Sequence, residues 1–377
     1  MSEKDSLKEF LKTSPFLKWL PVAFPFVLLG GGFYFLNGNF HKKTISPDKF
    51  VEVLEKGDSH DTGFRRAHAK GVCLKGNWQG SAEMSPYSKA EILNIQTPVL
   101  GRFSIGPGNP FIADKPALTR SMALKMNTPG GVWETAMNNT PVIPMSNVQD
   151  AYDLFKTDEI DPKTGKPDPK AFPHFVETHP WLSPALKILS ATQPTSGLSD
   201  TTYYGVSAFI ARDKAGKEHA VRWKMVPHQA VKPATGEMND PNYLFKNLIK
   251  QAHAGVQAHQ PLAWDMVMVI ANSAPEIQAG KAPKDIIKDP SKVWNAQDLE
   301  IKAGTVRIEK LYSENAEGLC KPMSFDPTVL PKGIELSEDP IPSLRSQIYM
   351  KSFYRRAGET QKASEVTAEM IKKGENS

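Results

Sequence analysis

The sequence predicts an α+β protein: an antiparallel β-barrel or sandwich with inserted and C-terminal helices, preceded by one transmembrane helix. Three observations carry this expectation. Strand-like runs dominate the apolar segments, the clearest being 201–211 and 218–225, which are joined by the turn Asp213-Lys214-Ala215-Gly216 as a β-hairpin. The 377 residues include 31 prolines, which favours long ordered loops over an all-helical build. Finally, the 18 residues from Trp19 to Leu36 carry no charge and follow Lys4, Lys8, Lys12 and Lys18. No internal repeat is visible, and the order of elements does not suit a βαβ fold.

The uncharged stretch is long enough to cross a bilayer, at about 1.5 Å per residue and roughly 27 Å in all. Pro21, Pro25 and Gly30-Gly31-Gly32 weaken it as a soluble helix but are tolerated in a membrane one. No Ala-x-Ala-like site follows, so an uncleaved anchor is expected. The organisation read from this is a segment 1–18 on the cytoplasmic side, an anchor at 19–36, a linker at 37–45 and one large domain at 46–377 on the far side of the membrane. His41, Lys42, Lys43 and Lys49 follow the span almost as densely as lysines precede it, so orientation is weakly specified.

Composition narrows the function. With 46 basic and 41 acidic residues and a net charge of +5, the surface is mixed, and no basic block points to nucleic acid. Cys73 and Cys320 are the only cysteines, too few for a disulfide framework and without metal-ligand spacing. They read either as buried thiols or as one bridge in an oxidising compartment.

Along the domain, Ser46-Pro47-Asp48 caps a helix running to about Lys56. Small residues flank His68, and a strand follows Gly71. Further strands are read at Val99–Ile105, Arg120–Met126, Trp264–Ala271 and Thr305–Tyr312. Helices are read at Asn147–Lys156, Pro184–Ser190 and Asp240–Ala254, with a polar loop at Asp161–Pro173. Asn138-Asn139-Thr140-Pro141 reads as a turn. A last helix starts at Pro342 and continues past Arg356, with Arg345, Tyr349, Ser352 and Arg356 spaced four, three and four apart on one face. Two guanidiniums and a phenol are an odd set for a core seam. A cation one turn from a tyrosine favours the tyrosinate, a hard ligand for ferric iron. Taken singly, each of these residues also has a plain structural reading: a solvated basic face, a structural histidine, a turn.

Together and in order, these segments resemble the haem catalase family, in the manner of a truncated catalase-related peroxidase. Arg65-x-x-His68-Ala69-Lys70-Gly71 is similar to the family's distal histidine motif, Arg102-Phe103-Ser104 to its second strand motif, and Asn138-Asn139-Thr140-Pro141-Val142 to its distal asparagine motif. Ser324-Phe325-Asp326-Pro327 with Pro331-x-Gly333-Ile334-Glu335 looks like the approach to the proximal helix, and Arg345-x-x-x-Tyr349 like that helix. The resemblance implies a catalase-like barrel that binds haem of b type, with Tyr349 as axial iron ligand held by Arg345. It implies His68 as distal acid-base group, Ser104 bonded to its ring and Asn138 orienting the peroxide, with Arg65, Arg102 and Arg356 facing the propionates. The implied activity is reduction of hydrogen peroxide and organic hydroperoxides through an oxoferryl state, with reduced catalase activity. The implied partners are a hydroperoxide and a separate electron donor, with oligomerisation left open.

Departures from the family pattern bear on substrate size. Gly106 stands where a valine usually narrows the channel, Leu118 where an aspartate is usual, and Ile143 and Ala151 where phenylalanines are. Ala67 precedes the distal histidine where valine is common. These changes widen or grease the approach. The chain also ends 28 residues after Tyr349, leaving no room for the family's C-terminal wrapping segments or a flavodoxin-like domain. A hydroperoxide isomerase and a non-enzymatic haem protein are the competing expectations.

Overall fold

The computed structural model describes residues 45–374 apart from 58–60, 116–117, 235–238, 273–277, 279–288, 295–296 and 316–318. The chain divides into two units, Met1–Ser46 and Pro47–Ser377. The expected segment 1–18, the anchor at 19–36 and nearly all of the linker lie outside the described residues. Among the described residues, no helix is long and apolar enough to cross a membrane.

The second unit is built on eight long antiparallel strands: β1 (Gly71–Gly80), β2 (Gln96–Ile105), β3 (Arg120–Thr128), β4 (Gly131–Asn138), β5 (Tyr203–Arg212), β6 (Glu218–Pro227), β7 (Ala263–Ile270) and β8 (Leu299–Tyr312). Each pairs with the next in sequence, and β8 pairs back onto β1, closing a barrel that leaves no long edge free among the described residues. A short β9 (Ile334–Leu336) adds to β5. The expected strands are all present, and β4, which the sequence left unread before the Asn138 turn, completes the wall.

Strand alternation separates the core from the outer face. Val72, Phe103, Met122 and Met137 lie opposite one another on β1 to β4 and belong to the buried core. The core is rich in aromatics: Trp133 meets Trp78 edge-on at 6.3 Å and Trp223 at 5.3 Å, and Phe209 stacks on Trp223 at 4.4 Å. Such pairs contribute about 0.5–1.5 kcal/mol each beyond the burial of their area. One residue along, Gly71, Ser104, Ser121 and Asn138 form the adjacent row, so their side chains take the opposite, outer face. A second outward row follows in Cys73, Arg102, Ala123 and Ala136. A fully buried core row thereby dictates which residues line the outside.

Helices cover that outside. α1 (Pro47–Lys56) comes first; α2 (Val148–Lys156), α3 (Ala171–Thr178) and α4 (Ser183–Ala191) are inserted between β4 and β5; α5 (Tyr243–Gln257) lies between β6 and β7; α6 (Pro340–Ala357) and α7 (Ala368–Gly374) follow the barrel. α2 starts where Asn147 accepts from the amides of Gln149 and Asp150. α3 lies partly in the stretch read as a polar loop; its stacked Phe172 and Phe175 supply the apolar spacing that Pro173 obscured. α6 begins at Pro340, two residues before the expected Pro342, because Asp339 caps it by accepting from the Ile341 amide. Cys73 on β1 and Cys320 are bridged, with Cα atoms 5.9 Å apart, which settles the alternative left open by composition.

Candidate active site

His68 stands just before β1 with φ of 56°, a left-handed conformation that costs a non-glycine residue on the order of 1 kcal/mol or more. Its surroundings impose it. The His68 amide donates to the Gly106 carbonyl at 2.8 Å and the Ala69 amide to that of Pro107 at 3.0 Å. On one side Arg66 is clamped by Glu55 and Glu359. On the other, the buried Lys70 ammonium reaches Asp114 at 2.7 Å and the carbonyls of Ile112 and Pro241. Burial, then the Arg102, Arg345 and Arg65 guanidiniums, push the His68 imidazole down to about 3, so it is neutral at physiological pH.

The ring partner differs from the sequence expectation. The hydroxyl that meets His68 Nδ1, at 3.0 Å, is that of Ser121 on β3. Ser104 lies directly opposite Ser121 on β2, one strand farther from Asn138. Ser121 also donates to Asn138 Oδ1 at 2.6 Å. His68 and Asn138 are therefore brought together as expected, but through a residue the motif comparison passed over. Its signal lay in β3 itself, where Met122, Leu124 and Met126 take the core parity and leave Ser121 on the outer one.

The last helix supplies the facing elements. Arg345 Nε donates to the Tyr349 phenol oxygen at 3.0 Å, and Arg345 Nη2 donates to the Ala136 carbonyl at 2.9 Å, docking α6 on the outer row of β4. Ser346 adds a bond to Asp326 at 2.6 Å. The predicted face is real: Arg356 is buried and Arg345, Tyr349 and Ser352 are half-buried, while Met350 and Tyr354 are exposed.

Arg65, Arg102 and Arg356 also converge, around a residue that sequence reasoning missed. Glu314 Oε1 accepts from Arg65 at 3.0 Å and from Arg102 at 2.5 Å. Arg102 reaches the Ala69 carbonyl as well, and an added Cβ on Gly71 would lie 2.4 Å from its guanidinium carbon, so this guanidinium needs glycine beneath it. Arg65 donates to the carbonyls of Cys320 and Met323, and Arg356 to that of Met323. Burial, opposed by Arg102 and Arg65, leaves the Glu314 carboxyl below its usual range; burial and mutual repulsion hold Arg65 well below the guanidinium range and Arg356 down to about 10. A lone acid in Ser313-Glu314-Asn315 offers no spacing to find it by. The arginines were the signal, because buried Arg102 and Arg356 with half-buried Arg65 beside them require a countercharge.

The catalase family model, described as Catalase, matches residues 42–372. The chain belongs to the catalase family. Among curated relatives it is 27% identical over 344 residues to the catalase-related peroxidase of Synechococcus elongatus, covering 90% of this chain and 96% of that one. It is 29% identical over 322 residues to the catalase-related peroxidase of Mycolicibacterium paratuberculosis, covering 83% and 96%. Catalase A from Saccharomyces cerevisiae superposes with a TM-score of 0.66 at 19% identity, over 82% of this chain and 64% of that one. A fungal catalase gives the same TM-score and identity, over 82% and 62%, so this chain spans less than two thirds of either solved catalase and shares their fold.

The family binds haem, and the residues present fit it. Arg65 and Arg102 share a single carboxylate whose Oε2 is buried without a hydrogen-bond partner among the described residues, and Arg356 adds a third guanidinium beside them, an excess of positive charge suited to two propionates. The phenol oxygen of Tyr349, accepting from Arg345, is a hard oxygen donor of the kind ferric iron takes in this family. The outer rows between these groups include the small residues Gly71, Ser104, Ser121, Ala123 and Ala136.

Proposed function

We propose that this protein is a haem-dependent peroxidase that reduces hydrogen peroxide and organic hydroperoxides with electrons from a separate donor, with reduced catalase activity. The observation that carries the reading is the neutral His68 imidazole bonded through Ser121 to Asn138, within the field of the arginine bound to Tyr349. Tyr349 would hold the haem iron, and Arg65, Arg102 and Arg356 would hold its propionates. Bound haem supplies the two-electron oxidation centre at which the O–O bond is cleaved.

The chain's own residues manage the proton. Neutral His68 accepts the hydroperoxide proton and returns it to the leaving oxygen, so that water or an alcohol departs in place of a poor alkoxide; such help is typically worth ~10²–10⁴ in rate. The Asn138 amide N–H groups hold the peroxide while this happens. Gly106, whose carbonyl holds the His68 amide, leaves small surface near the histidine, which supports entry of substrates larger than hydrogen peroxide. An added Cβ on Gly106 would meet Thr119 Cβ at 3.0 Å, so the position also favours glycine for packing.

The same surface favours a second reading, a hydroperoxide isomerase. Product analysis with a lipid hydroperoxide separates them. The peroxidase yields the alcohol with consumption of donor, whereas an isomer formed without donor consumption overturns this proposal. The Cys73–Cys320 bridge supports an oxidising compartment, and with the uncharged stretch at 19–36 it supports a single-pass anchor and a periplasmic body. Protease protection of the intact cell's chain tests that placement.

A further inference from the structure

The geometry points to Ser121 as a positioning residue that joins the two distal groups into one hydrogen-bonded unit and fixes His68 as the tautomer protonated at Nδ1. The inference rests on the reading of His68 as the base toward a hydroperoxide. A serine hydroxyl has one proton to give. Here it goes to Asn138 Oδ1 at 2.6 Å, because an amide oxygen cannot donate. The 3.0 Å contact between Ser121 Oγ and His68 Nδ1 must then be donated by the ring. Nε2 keeps its lone pair and is the atom left to take the hydroperoxide proton.

Two consequences follow from the register. Ser121 sits directly opposite Asn138, so one hydroxyl on β3 spans both distal residues, which Ser104 on β2 does not. When Nε2 takes the proton, the ring becomes a cationic donor at Nδ1. That polarises the Ser121 hydroxyl, which in turn polarises the Asn138 amide and strengthens its N–H groups as donors. Proton uptake by one residue and hydrogen-bond donation by the other are coupled through a single side chain. The proton moves from the hydroperoxide oxygen to Nε2 and back to the leaving oxygen, with no net change at Ser121.

The test uses the full-length chain labelled with ¹⁵N at histidine, with any haem replaced by diamagnetic gallium protoporphyrin and the His68 signals identified by their loss in His68→Gln. The structure predicts an Nδ1-protonated, Nε2-unprotonated ring at neutral pH, loss of that preference in Ser121→Ala, and its restoration in Ser121→Thr. A wild-type ring protonated at Nε2, or a Ser121→Ala signal like the wild type, overturns the inference. A second readout is the association rate of cyanide with the ferric protein, which requires a base to take the proton of hydrogen cyanide. Ser121→Ala should slow it by about 10- to 100-fold, the size of effect found when the partner that orients a metal-bound histidine is lost, and more than Ser104→Ala does. The reverse order of those two variants returns the role to Ser104 and overturns the inference. A wild-type protein that holds no haem and binds no cyanide defeats the peroxidase reading instead, and the tautomer measurement still decides the role of Ser121.

Discussion

Arg345 donates from Nε to the phenol oxygen of Tyr349 at 3.0 Å, one helical turn along α6, while its other arm holds a carbonyl of the barrel wall. The bond ties the candidate iron ligand to the outer row of β4 and so to the residues around His68. Tyr349→Phe removes the ligand oxygen and leaves the helix intact. The expected outcome is loss of the tyrosine-ligated ferric absorption spectrum and of most bound haem, with far-ultraviolet dichroism unchanged. A normal haem content and spectrum in that variant would remove Tyr349 from the proximal position.

His68 makes a pH prediction. Burial and three guanidiniums push its folded-state value to about 3, against an ordinary 6.5. Between those values the unfolded chain binds the proton and the folded chain does not, so stability rises with pH across that window and the contribution is fully present above it. His68→Gln should flatten the slope of unfolding free energy against pH between about 4 and 6, by no more than about 1.4 kcal/mol per pH unit. Denaturant unfolding of the protein without haem at stepped pH measures it. An unchanged slope would mean that His68 is protonated in the fold.

How much of this was legible in the sequence depended on the kind of signal. The strands were readable because core residues such as Phe103 and Met122 alternate with small or polar ones, and α6 because Arg345, Tyr349, Ser352 and Arg356 share one face. Strand β4 was not, because Gly131 and the Asn-Asn-Thr-Pro run at its ends read as turn chemistry. The site residues with motif spacing, Arg65, His68, Arg102, Asn138, Arg345, Tyr349 and Arg356, fall where the fold can assemble them. Ser104 gave way to Ser121 because a motif names a strand position, whereas the hydrogen bond is decided by cross-strand register. Glu314 was invisible because its role exists only once three distant arginines are folded around it.

That role is measurable. Glu314 is the acid that Arg65 and Arg102 share, and all three side chains are largely buried. Glu314→Gln keeps the shape and removes the charge, so the protein without haem should lose about 3–5 kcal/mol of unfolding free energy, as when one member of a buried ion pair is removed. With haem bound, two propionates supply negative charge and the loss should be smaller. Equal losses in both forms would place the propionates elsewhere.

The Cys73–Cys320 bridge closes a sequence separation of 247 residues and anchors the loop whose carbonyls at 320 and 323 hold Arg65. Cys320→Ser should cost about 2–4 kcal/mol in stability, and thiol titration of the denatured wild-type protein should find no free thiol until a reductant is added. Two titratable thiols before reduction would show that the bridge does not form.

A haem bound to this barrel should react with peroxides under the control of His68. Stopped-flow spectra of the purified full-length ferric protein, mixed with hydrogen peroxide and separately with cumene hydroperoxide, test it most directly, with and without a one-electron donor. Both peroxides should change the haem spectrum rapidly, the donor should return it to the resting spectrum, and His68→Ala should slow the first step by about 10²–10⁴. A protein without haem, a spectrum that peroxide leaves unchanged, or a His68→Ala variant as fast as the wild type would contradict it.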